Sequence, residues 1–377
     1  MISCGEASGD LYAGALVAAL TSRQHDIDVY GLGGERFQAA GGELVGDFRG
    51  LAVTGLVEAL QVLPQSYAVY KRLVDVARMR RPDVLVLIDY PDFNFRLMAA
   101  VRRLGVPIVY YVSPQLWAWR PGRMHTMKAL VDLVLPIFPF EQDLYERASV
   151  NVRFVGHPLV ELAKPRETRE TFLRELGLDP SRRTVALLPG SRPNELSRLV
   201  PVLAAAVPRI ASAVEGLQFV VARASGLPDT NFVPFEGMGI PLRTVEGLTD
   251  DVLAAADVVV TASGTATVQA ALHGKPMVVV YRLSPMTYRL GKPLVRVDMY
   301  SMVNLVAGSR VVPELIQDRC TPETVAAEAI SLLTSSERAE RMRDELAIVR
   351  EKLGPPGASG RAAEAIFELI ASRAPAV

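Results

Sequence analysis

Three groups of residues in this chain have the types and spacing to act on a phosphorylated substrate and a hydroxyl. The run Thr261-Ala-Ser-Gly-Thr-Ala-Thr-Val-Gln269 follows an apolar stretch that reads as a strand, Ala256 to Val260, and opens a helix. Backbone N–H groups at such a helix start, with the Ser263 and Thr265 hydroxyls and no side chain at Gly264, suit a diphosphate at the positive end of the helix dipole. The same small residues also make ordinary helix caps, so the run alone leaves both readings open. Arg192 follows Pro189-Gly-Ser191 at the end of a second apolar stretch. Its guanidinium can hold a diphosphate leaving group through charge-assisted, often bidentate bonds, or can pair with Glu195 at the surface. Asp89 ends the run Val84-Leu-Val-Leu-Ile88. A carboxylate fixed there can take a proton from a hydroxyl nucleophile, while Asp89 or Asp92 can equally cap the turn that follows.

Other polar residues carry less chemistry. His157, between Gly156 and Pro158, reads as a hinge or packing residue before it reads as a catalyst. The four histidines lack metal-ligand spacing, so no metal and no cofactor is expected. Cys4 and Cys320 are too few and too far apart for a disulfide framework, which fits a reducing compartment. Between Leu51 and Arg81, apolar Leu56, Val57, Leu60 and Leu63 precede basic Lys71 and Arg72. That mixture suits an anionic lipid surface, and it also suits a buried amphipathic helix with a solvated basic end.

These groups need elements to hold them, and the chain supplies short apolar runs alternating with helical patterns. Asp83 to Ile88, Pro107 to Val112, Leu133 to Ile137, Thr184 to Leu188, Leu217 to Ala222, Ala256 to Thr261 and Pro276 to Tyr281 are predicted strands. Glu195 to Ala213 and Thr265 to Leu272 are predicted helices. At 377 residues, half of them hydrophobic, the chain is expected to form two α/β domains with doubly wound parallel sheets. Charge and a proline near Glu161 to Thr168 place the boundary at 163/164, with a C-terminal helical segment from 346.

Ligands of such sheets bind beyond the carboxyl ends of the strands. The loops found there are Gly5-Glu6-Ala-Ser8-Gly-Asp10, Asp89 to Asn94, Ser113-Pro-Gln-Leu-Trp117, Pro189 to Glu195, Glu246 to Thr249 and the opening run. The two domain edges are expected to face each other across a cleft. Zero formal charge gives no footprint for nucleic acid. No run of uninterrupted apolar residues reaches membrane-spanning length and no secretion signal is visible, so a cytoplasmic protein is expected.

Taken in order, Gly5-Glu-Ala-Ser-Gly-Asp10, Ile88-Asp-Tyr-Pro-Asp-Phe-Asn94, Tyr111-Val-Ser-Pro-Gln-Leu-Trp-Ala-Trp119, Phe138-Pro-Phe-Glu141, Leu187-Leu-Pro-Gly-Ser-Arg192, Ala262-Ser-Gly-Thr-Ala-Thr267 and Asn304-Leu-Val-Ala-Gly308 resemble the lipid-A-disaccharide synthase family. The resemblance covers nearly the whole chain. It implies an inverting GT-B glycosyltransferase at the inner face of the cytoplasmic membrane. Monomer and homodimer both stay open, with the C-terminal helices either crossing back onto the first domain or exchanging between protomers. The implied reaction passes 2,3-diacylglucosamine from UDP-2,3-diacylglucosamine to the 6-hydroxyl of 2,3-diacylglucosamine 1-phosphate, in lipid A biosynthesis.

By that resemblance Asp89 is the general base. Arg192, Glu246, Ser263, Gly264, Thr265, Gln269, Asn304 and Gln317 serve the UDP side, and Glu6, Ser8, Asp10, Ser113 and Trp117 the acceptor side. Leu56, Val57, Leu60, Leu63, Lys71 and Arg72 would meet acyl chains and membrane. Gln269 stands where the family usually has Glu, a position that would hydrogen-bond the ribose; Gln can still donate and accept there. Only Met1 to Cys4 precede the Gly5 loop, shorter than the usual first strand, so Met1 is expected to lie inside the true start. The competing readings are a UDP-N-acetylglucosamine epimerase, a lipid-linked transferase, or a catalytically silent sugar-nucleotide or lipid-binding protein.

Overall fold

The computed structural model describes residues 1–49, 56–116, 121–284 and 298–373, with side chains left out for 56–62 and 121. The chain divides into two compact units, Met1–Pro158 with Leu353–Val377, and Leu159–Lys352.

The first unit holds β1 (Ile2–Cys4), β2 (Tyr30–Gly33), β3 (Glu43–Asp47), β4 (Leu85–Ile88), β5 (Ile108–Tyr111) and β6 (Leu133–Leu135) in the order β3-β2-β1-β4-β5-β6. The second holds β7 (Thr184–Leu188), β8 (Gln218–Arg223), β9 (Leu242–Glu246), β10 (Val258–Ala262), β11 (Met277–Tyr281) and β12 (Glu314–Ile316) in the order β12-β11-β10-β7-β8-β9. All pairings are parallel. Central strands are apolar throughout because helices cover both faces: every residue of β4, β5, β7 and β10 is buried. The chain order reverses between β1 and β4 in one sheet and between β7 and β10 in the other. Such switch points open a crevice at the strand ends, since successive loops leave there in opposite directions.

The unit boundaries fall after Pro158 and Lys352, offset from the expected 163/164 and 345/346. Leu159–Leu162 is already a helix packed on the helix Thr265–Leu272 of the second unit. The helix Ser336–Lys352 runs unbroken through position 346, burying Ala339, Met342, Leu346 and Val349. The chain then turns at Gly354, whose φ is 87°. The last helix, Ala358–Ala371, packs on Ala7–Arg23 of the first unit, where Arg361 donates to the Val155 carbonyl at 2.9 Å and Arg153 pairs with Glu368 at 2.7 Å.

Among the described residues one helix, Pro193–Ala213, is long and apolar enough to cross a membrane by length and composition. Half of that window is buried in the protein, and Leu196, Leu199, Leu203, Val207 and Ile210 supply core of the second unit.

Candidate functional site

In the first unit the candidate residues gather at the β1/β4 switch point. Asp89 and Tyr90 both take left-handed backbone, φ 46° and 49°, and Val112 after the adjacent β5 has φ 58°. A β-branched residue there is a true outlier, and each such residue costs about 1–3 kcal/mol and persists only where its surroundings over-determine it. The surroundings do. The Asp89 carbonyl accepts from Asn94 Nδ2 at 2.7 Å and from the Tyr110 hydroxyl at 2.8 Å, and the Asp89 N–H donates to the Val112 carbonyl at 3.1 Å. Asn94, fully buried, also accepts from the Ser3 hydroxyl at 2.7 Å, tying β1 to the turn. Burial and then the nearby Asp89 push the Tyr110 phenol up, so it stays a donor. Tyr90 takes the N-cap of Pro91–Arg102 without a capping bond from its own side chain, and Asp92 is exposed and paired with Arg123 at 2.7 Å. The half-buried Asp89 side chain is thus carried by a pinned, strained turn.

Gly5 lies against the Tyr90 ring, where an added Cβ would come within 2.0 Å. This close approach brings Glu6 and Ser8, both half-buried, beside the Asp89 turn. Asp10 is differently employed. Its carboxylate accepts the backbone N–H groups of Gly34, Arg36 and Phe37 at 2.7, 2.9 and 3.1 Å, and is 4% exposed. Three N–H bonds commit it to holding the turn after β2. Ser113 is buried at the end of β5, and Trp117 lies outside the described residues. His157 packs edge-on to Tyr12 and Phe138, its ring held down to a pKa of about 3 by burial, as suits a packing residue.

In the second unit the phosphate-type residues lie at the β7/β10 switch point. Gly264 precedes Thr265–Leu272 with φ 156° and ψ −160°, a region open essentially to glycine alone, and no side chain caps the helix. Open space surrounds the missing Cβ. The Ser263 hydroxyl donates to the Tyr300 carbonyl at 3.1 Å, and Thr265 is exposed at the helix start. Arg192 does pair with Glu195, at 3.2 Å. Glu195 also accepts the N–H groups of Ser191 and Arg192 at 3.0 and 3.3 Å, so this loop's backbone donors are taken by its own carboxylate. The Arg192 side chain is 36% exposed, and a guanidinium has five donors, enough to serve Glu195 and a second anion together.

The remaining donor-side candidates are largely braces. Glu246 accepts from the Gly226 N–H at 3.0 Å and faces Arg223 at 3.4 Å, joining the ends of β9 and β8. Asn304 is fully buried: it donates to the Val312 carbonyl and Glu314, and accepts from the N–H groups of Val311 and Val312. With both ends of its amide engaged, Asn304 braces this corner from inside. Gln317 likewise grips the Leu283 backbone, accepting at 2.5 Å and donating at 3.3 Å. Gln269 donates to Asp250 at 3.1 Å.

Two further residues carry the site without having been singled out. Asn94 was visible only as the last letter of its motif, and Arg223 as a charge closing an apolar strand. Among the described residues no group of three or more His, Cys, Asp or Glu could hold a metal ion.

Along the helix Leu56–Arg80, Leu73 and Ala77 are fully buried, whereas Leu63 and Tyr67 are 46% and 59% exposed, with Lys71 and Arg72 exposed alongside. The side chains of Leu56, Val57 and Leu60 lie outside the described residues.

A family model described as lipid-A-disaccharide synthetase matches residues 1–365. The chain belongs to the lipid-A-disaccharide synthetase family. Among relatives, the lipid-A-disaccharide synthase of Myxococcus xanthus is 44% identical over 371 residues, covering 98% of this chain and 97% of its own length. That of Geobacter metallireducens is 44% identical over 377 residues, covering 99% and 97%. Solved structures share the two-sheet GT-B fold. A UDP-GlcNAc 2-epimerase from Neisseria meningitidis bound to UDP-GlcNAc aligns with TM-score 0.70 at 12% identity, covering 97% of this chain and 98% of that one. The calicheamicin glycosyltransferase CalG4 aligns with TM-score 0.61 at 14% identity, covering 99% and 98%.

Proposed function

We propose that this chain transfers 2,3-diacylglucosamine from UDP-2,3-diacylglucosamine to the 6-hydroxyl of 2,3-diacylglucosamine 1-phosphate, giving a β-1,6-linked disaccharide 1-phosphate and UDP. The observation that carries the reading is the Asp89 turn: a carboxylate on a strained, fully pinned loop at a switch point, in a chain of this family. Asp89 takes the proton of the acceptor hydroxyl as that oxygen attacks the anomeric carbon. The bond from that carbon to the UDP oxygen breaks with its electron pair, inverting the centre. Arg192 and the helix start at Ser263, Gly264 and Thr265 receive the charge that builds on the diphosphate. Because these groups supply the positive charge, the proposed step uses no metal ion.

The exposed Leu63 and Tyr67 beside Lys71 and Arg72 support contact with an anionic membrane surface, where both lipid substrates would be met. That contact would make the protein a peripheral one on the cytoplasmic side of the inner membrane. An Asp89→Asn variant tests the base assignment. It should keep its UDP affinity and lose turnover by about 100-fold or more, the scale of general base catalysis. Undiminished turnover would remove Asp89 from the role.

A further inference from the structure

We propose that Asp250 is the hydrogen-bond acceptor for the ribose hydroxyls of the donor nucleotide, and that Gln269 and His273 are the positioning residues that aim it. The inference rests on the reading of the Gly264 helix start as the diphosphate seat. Gln269 is four residues beyond Thr265 on that helix, a rise of about 6 Å. Ribose follows phosphate in a nucleotide over a similar distance, so a hydroxyl acceptor belongs near this turn. Gln269 Nε2 donates to Asp250 Oδ1 at 3.1 Å, which fixes the amide and turns it toward that carboxylate. His273, one turn further, places Nε2 3.0 Å from the same oxygen. Two groups therefore hold one carboxylate oxygen, while Oδ2 makes no hydrogen bond among the described residues.

The carboxylate stands in the first turn of Thr249–Ala255, just beyond β9, on the strand-end side where Glu246 and the helix start also lie. Its side chain is 22% exposed, reachable by a ligand and too shielded to be a plain surface charge. An ionised carboxylate accepts only, which matches a sugar diol with two hydroxyls to donate. A structural brace between two helices would need the same two contacts, and ligand chemistry separates the two roles.

Titration calorimetry with UDP and with 2′,3′-dideoxyuridine diphosphate, on wild type, Asp250→Ala and Asp250→Asn, reads the difference directly. Wild type should prefer UDP by about tenfold or more, the worth of a hydrogen bond to a charged group. Asp250→Ala should bind both ligands alike, and the isosteric Asp250→Asn should show a reduced preference. If either variant loses affinity for both ligands equally and keeps the wild-type preference, Asp250 is only a brace and the proposal falls. A wild type that binds both ligands alike also overturns it. A wild type that binds neither overturns the donor-site reading itself.

Discussion

At Asp89, the proposed base, the backbone is forced into an unfavourable conformation and a buried amide keeps it there. Asn94 is that amide, and its removal would leave the Ser3 hydroxyl without its acceptor and the Asp89 carbonyl without one of its two donors. Asn94→Ala should therefore cost about 1–3 kcal/mol in denaturant unfolding and lower turnover as well. Stability reduced with turnover unchanged would mean that the turn does not need its pin.

His157 gives a pH signature. Burial lowers its pKa to about 3 from the ordinary 6.5, so between those values the unfolded chain binds a proton that the folded chain refuses. Stability from the neutral ring is complete above that range and drains away as pH falls through it. The urea midpoint of wild type should drop between pH 7 and 5 more steeply than that of His157→Gln; equal slopes would refute the assignment. Asp89, Arg192 and the Ser263 to Thr265 run were legible in the sequence because each follows an apolar strand. The Val112 conformation was not, since nothing in a β-branched residue signals left-handed backbone. The Asp250 to Gln269 bond was not either, because it joins two helices through packing alone.

At the scale of elements, the buried strands were legible because parallel central strands are apolar end to end. The unread ones have physical excuses. β2 contains two glycines, while β3 and β9 are sheet edges with exposed residues, and β12 is three residues long at the other edge. The helix Leu56–Arg80 was legible as an amphipathic element, yet its two readings were not exclusive. Leu73 and Ala77 pack inward near its end while Leu63 and Tyr67 face solvent. Replacing both exposed residues with Asp should lower partition onto phosphatidylglycerol vesicles by about tenfold, since each loses buried apolar area and adds a repelled charge. Co-sedimentation at low and high salt would check this, and unchanged partition would move the membrane contact elsewhere.

At the scale of the whole molecule, the chain crosses between its units twice, after Pro158 and after Lys352, so each sheet is completed before the C-terminal helix returns to the first. Each sheet presents chemistry at its own switch point. One carries a carboxylate on a strained turn, and the other a guanidinium and an uncapped helix start. Both candidate sites were legible in the sequence because each rests on the same strand-loop-helix grammar, whereas helices that continue through the unit boundaries hid those by a few residues. Under the proposed function these two chemistries serve one glycosyl transfer. Mass spectrometry of the lipid products after incubating the protein with UDP-2,3-diacylglucosamine and 2,3-diacylglucosamine 1-phosphate tests it most directly. A tetraacyl disaccharide 1-phosphate should form in step with UDP; both substrates recovered intact, or UDP released without disaccharide, would refute the transfer.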